Sequence, residues 1–97
     1  MTRNRDNNFF EELHVSSTNF VVSVSWNFVS VGIALMIESN DANDIIHYSF
    51  DGSTVHGSMH ATFPSEAIIF DNRSQCQVWF KRASGSTPVL VRVEAWR

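Results

Sequence analysis

Three of the chain's four histidines, His47, His56 and His60, lie close together in the stretch IIHYSFDGSTVHGSMH. Imidazole is the commonest protein ligand for transition metals, but a metal centre forms only where the fold aims such rings at one point. Side chains alternate between faces along a strand, so His47 and Tyr48 point to opposite sides; His56 follows an Asp-Gly turn and His60 falls in the segment after it. Neither a His-x-His pair nor a carboxylate at ligand spacing accompanies them. These residues are therefore expected to be surface or interface histidines and not a metal site within one chain. A symmetry axis that brings copies of one histidine together is the arrangement that would change this.

Other reactive chemistry is thin. Cys76, the single cysteine, stands at the start of SQCQVWF and reads as a small buried hydrophobe with no base beside it. The chain holds no G-x-S-x-G elbow, and its four glycines form no phosphate-cradling loop. Carboxylate pairs such as Glu66 with Asp71, or Glu38 with Asp44, can be drawn, but a chain of 97 residues leaves little room for a glycosidase cleft around them. No enzyme activity and no cofactor are expected.

The elements that would position these residues are strands. Phe20, Val22, Val24, Trp26 and Phe28 alternate with Val21, Ser23, Ser25 and Asn27, the period of a strand with one wet face. Val31, Ile33, Leu35 and Ile37 alternate with Gly32, Ala34, Met36 and Glu38, both sets nearly apolar, as in a central strand covered on each side. The polar run 39–44 predicts a turn, and a strand follows at Ile45 to Phe50. Asp51-Gly52 then predicts a type I′ hairpin that pairs Thr54 to Gly57 back onto that strand. Ser58 to Glu66 reads as a crossing loop. Ala67 to Phe70, Cys76 to Arg82 and Val89 to Trp96 read as further strands, the last with a valine face for the core and with Arg92 and Glu94 outside. With a weak strand at Glu11 to Val15 this makes about eight short strands and no helix: an all-β fold, a single antiparallel β-sandwich of jelly-roll-like type, with an immunoglobulin-like topology as the rival.

Length allows one domain, read as a flexible polar arm over residues 1–8 and a sandwich over 9–97. The formal charge of -3 offers no cationic footprint for a nucleic-acid backbone. One cysteine excludes an internal disulfide and fits a reducing compartment. The N-terminal MTRNRDNN has no apolar core of a secretory leader, and the mainly apolar run from Phe28 to Ile37 is too short to span a bilayer. Eight Phe and three Trp exceed what one thin sandwich buries, so some of this surface is expected to meet a partner. The residues expected at such contacts are Arg3, Arg5, Phe9 and Phe10 at the arm, with Trp79 and Trp96 on the sheets.

The stretches YSFDGSTVHG (48–57), IIFDNR (68–73), VWFKR (78–82) and VRVEAW (91–96) resemble small structural proteins of tailed bacteriophages, over most of the chain after the arm. The likeness lies in strands and turns, with no family motif that assigns a role to a residue. It implies a virion protein made in the host cytoplasm. At this size and fold it implies a head decoration or cement protein on the capsid exterior, a homo-oligomer, often a trimer, that binds the major capsid protein or other virion subunits. A tail or neck component is the first alternative. A carbohydrate-binding module for host attachment, stacking sugars on Trp79, Trp96 or Tyr48, is the alternative of a different class.

Overall fold

The period-two patterns resolve into nine strands in a computed structural model that describes residues 3–4, 8–38, 43–60, 68–84 and 88–97. The strands are β1 (Arg3–Asn4), β2 (Asn8–Val15), β3 (Val22–Ser25), β4 (Gly32–Glu38), β5 (Ile45–Ser49), β6 (Gly57–His60), β7 (Ile68–Phe70), β8 (Gln77–Ser84) and β9 (Val89–Trp96). No helix occurs among the described residues. The strands form two antiparallel sheets: sheet A in the order β1-β2-β9-β4-β7, and sheet B in the order β3-β8-β5-β6. Four pairings nest inside one another, β5 with β6, β4 with β7, β3 with β8 and β2 with β9. The chain thus runs as one long folded ribbon, and β4–β9 and β5–β8 pairings join its turns into the two sheets.

Between the sheets lies the core. Val89, Val91, Val93 and Ala95 of β9 meet Ile33, Leu35 and Ile37 of β4 from sheet A; Ile46, Tyr48, Val78 and Phe80 come from sheet B. The valine face of the last strand lies inside as expected; β4 is a central strand in the sheet, but Ala34 and Met36 on its outer side line an open recess instead of being covered, and Val31 before it is 47% exposed. The predicted strand from Phe20 to Phe28 pairs only over Val22–Ser25, yet Trp26 and Phe28 stay buried and Ser23, Ser25 and Asn27 stay outside. Burial holds the alternation beyond the ladder because Trp26 stacks on Phe9 at 5.3 Å between ring centroids and its indole N–H donates to the Gln75 carbonyl.

Three local expectations are corrected. The weak strand at Glu11 to Val15 is eight residues long, starts at Asn8, and pairs along its whole length with β9. Strand β6 occupies Gly57–His60, so Ser58–His60 pair where a loop was expected, and of Thr54–Gly57 only Gly57 lies in the returning strand. The turn before it is longer than a two-residue type I′ connection, because that turn needs positive φ at both central residues and only Gly52, at 85°, has it. Asp51 instead builds the bend with its side chain: Oδ1 accepts from the backbone N–H of Ser53 and Thr54 and from the Ser49 hydroxyl. Ser49 Oγ in turn accepts from the N–H groups of Asp51 and Gly52. The returning chain then re-enters through His56, whose N–H donates to the Tyr48 carbonyl and whose Nδ1 accepts from Phe50 N–H.

The loops that follow β3, β5 and β7 are tied together. Ser30, buried, donates its hydroxyl to the Arg73 carbonyl at 2.6 Å and accepts from Gln75 N–H; Gln75 Nε2 reaches the Phe50 carbonyl at 2.8 Å. This end of the sandwich is a braced platform, satisfying backbone groups that no sheet ladder reaches.

Candidate functional site

The sequence-predicted contact residues scatter when placed on this frame. Arg3 pairs through its backbone with Phe10, and Asn4 with Phe9, so the described residues of the arm lie in sheet A; Arg5 lies outside the described residues. Phe9 is 2% exposed, packed between the sheets, and is not available as a partner contact in the folded chain. Its neighbour Phe10 faces outward, because adjacent strand residues point to opposite sides. Trp79 and Trp96 also face outward, one on each sheet, both half-buried. Tyr48 is a core residue, edge-on to Phe50 and Phe70, and provides no sugar platform. Burial raises the Tyr48 phenol above its ordinary 10.0, opposed by Arg73.

The histidines do not converge. His56 is held in the β5–β6 turn against Phe50. His47 and His60 lie on the outer side of sheet B, where His60 Nε2 meets the Ser58 hydroxyl at 3.2 Å. Among the described residues no group of three or more His, Cys, Asp or Glu side chains is placed to hold a metal ion. Burial, then Lys81, then His60 push the His47 imidazolium down from its ordinary 6.5, and its buried Nδ1 finds no hydrogen-bond partner. Cys76 is exposed, contrary to its reading as a buried hydrophobe. It precedes β8 and so escapes the pleat that turns Val78 and Phe80 inward.

What the fold assembles is a pair of unlike outer faces. On sheet A, the ladder sets Phe10, Glu94, Ala34 and Ile69 in one row across β2, β9, β4 and β7. The next row is Glu12, Arg92 and Met36. Together Phe10, Ala34, Met36, Ile69, Arg92 and Glu94 line an open recess of about 250 Å³. Ile69 is 59% exposed at its rim. Arg92 Nε meets Glu12 at 3.0 Å and its Nη2 meets Glu38 at 2.9 Å, bridging β2 to β4 across β9. These pairs are exposed by about a third or more, so they orient the face more than they stabilise it. Above the recess Trp96 lies across Gly32, where a Cβ would collide with the indole; the glycine is what lets the ring lie flat on the sheet.

Sheet B presents a different chemistry. Its outward residues include Ser23, Ser25, Gln77, Trp79, Lys81, His47, Ser58 and His60, and its strands carry no Asp or Glu. Trp79 is backed by Gly52, whose absent side chain leaves the indole room. Lys81 sits 4.8 Å from the centre of the Phe20 ring, a cation–π contact, beside the strongly exposed Val21. Sheet A, by contrast, holds Glu11, Glu12, Glu38 and Glu94. The outward position of Arg92 and Glu94 was legible from alternation, but the Glu12–Arg92–Glu38 bridge and the division of charge between sheets were missed. Both depend on strand order, which no single strand carries.

Comparison with family models, with curated proteins and with solved structures found no match. Among the described residues no helix is long and apolar enough to cross a membrane.

Proposed function

We propose that this chain is a non-catalytic structural protein of a virion, a decoration or cement subunit that acts as an oligomer on the capsid exterior and contacts the major capsid protein. The nested strand pairing is read as a jelly roll, two Greek keys folded from one ribbon. The observation that carries the reading is the outer face of sheet A. Phe10, Met36, Ile69 and Trp96 stay on the outside of a sandwich whose core is already filled. Apolar and aromatic side chains clustered on a complete fold mark a surface meant to be covered. Cement function suits such a face, since many modest contacts repeated around a shell add their strengths.

Co-sedimentation of the purified chain with capsids that lack it tests this reading. The expected result is binding at a fixed ratio to the capsid protein, lost on Met36→Glu. Truncation of residues 1–10 is not a clean probe, because it removes Phe9 from the core. A chain that ignores capsids but binds glycans, with loss on Trp79→Ala, would replace the proposal with the carbohydrate-binding one; binding to tails and not heads would move it to the tail or neck.

A further inference from the structure

We infer that the two outer faces are made for each other: the outer face of sheet B of one copy docks on the outer face of sheet A of the next. This rests on the assembly reading above and names one of its contacts. Charge complementarity carries it. Sheet A's outer face has three carboxylates, Glu12, Glu38 and Glu94, with Arg92 among them, His14 outward on β2, and the backbone of Arg3 beside Phe10 in β1. Sheet B's outer face has one permanent cation, Lys81, and no carboxylate on any of its strands; Asp51 lies in the turn after β5.

Shape and polarity agree with charge. Sheet A offers a recess lined by Phe10, Ala34, Met36, Ile69, Arg92 and Glu94. Sheet B offers an exposed apolar corner: Val21, 71% exposed, stands one residue beyond the Val22–Phe80 pair and so beside Lys81, whose ammonium rests on Phe20. An apolar corner carrying Lys81 meets an apolar recess lined by Arg92 and Glu94; Arg92 is paired with Glu12 and Glu38, and Glu94 is the carboxylate outside that bridge. The occupant is a second copy, because the chain itself carries both the acidic face and the face whose strands hold no carboxylate.

Sheets A and B face opposite ways in a sandwich, so this contact is heterologous. Such contacts propagate as an open stack unless a rotation closes them into a ring. Attraction between the faces screens with salt, and the encounter is steered by the charge each presents.

Light scattering and sedimentation velocity of the full chain, over a concentration series at low and high salt, test the contact without any capsid. The mass is expected to rise with concentration past a dimer and to fall toward the monomer at high salt. Lys81→Glu and Glu94→Lys are each expected to raise the concentration for half-assembly by about tenfold or more, since like charges then meet across the contact. The double variant restores assembly with the signs exchanged at every contact, and an equimolar mixture of the two variants restores it by alternating original and exchanged pairings. Neither residue is in the core, and unchanged circular dichroism and thermal midpoint verify the fold of each variant. A monomer throughout, single variants that assemble like the parent, or a closed dimer weakened by Glu94→Lys alone would overturn the inference. Loss of capsid binding with self-association intact would remove the decoration reading and leave this contact standing.

Discussion

Asp51 holds its bend by accepting from Ser49, Ser53 and Thr54, and hydrogen bonds from the Thr54 and Ser53 backbone, with the Ser49 hydroxyl, keep its carboxyl far below its ordinary 3.8. The folded pKa is depressed, so the stabilisation is present above 3.8 and is lost as pH falls below it. Asp51→Ala is expected to lower the thermal midpoint at pH 7 and to leave a flatter acid limb below pH 4 in a pH series of melts. His47 carries a second pH term. Its folded pKa lies below 6.5, so the unfolded chain takes up the proton first, and stability declines as pH falls through 6.5 toward the folded value. His47→Gln should remove that part of the decline. Gly52, at φ 85°, with Trp79 3.0 Å from where a Cβ would stand, should not tolerate Ala, at a cost of roughly 1–2 kcal/mol or more by chemical denaturation. Asp-Gly was legible as a turn from residue type alone, but the turn's length was not, because the competing side-chain bonds of Ser49 and Asp51 are set only when the loop is built.

At the scale of the element, alternation revealed inward and outward faces well. It placed Val89, Val91 and Val93 inside and Arg92 outside, and it kept Trp26 and Phe28 in the core past the end of β3. It failed at Phe9-Phe10. Two adjacent rings after a polar run looked like an arm's anchor, whereas β2 extends through them and sends one to each side. Phe9→Ala is therefore expected to destabilise by about 3–5 kcal/mol in chemical denaturation, as loss of a buried ring does, and Phe10→Ala by about 1 kcal/mol or less. The Gly32–Trp96 contact was invisible for another reason: the two residues are opposite each other only because β4 pairs with β9. Gly32→Ala should cost roughly 1–3 kcal/mol through overpacking against the indole. Trp96→Ala in the same chain should relieve most of that cost in a double-mutant cycle, since the two sites share one contact. Independent, additive costs would show that the ring and the glycine are not coupled.

At the scale of the molecule, the described strands divide their charge by sheet, all four glutamates on A and none on B, within a chain whose formal net charge is only -3. Composition could report the sum but not the division. The nested strand order makes the division, by sending β2, β4, β7 and β9 to one layer and β3, β5, β6 and β8 to the other. With a filled core, a braced loop end and two unlike outer faces, the proposed function is that of a building block that acts through the surfaces it presents. Under the proposed function this block is part of a virus particle. The most direct test is quantitative mass spectrometry of virus particles purified from infected cells in which the chain is expressed. The expected result is a fixed ratio of this chain to the major capsid protein, preserved through density-gradient purification. Its absence from the particle, with the chain abundant in the infected cell, would contradict the proposal.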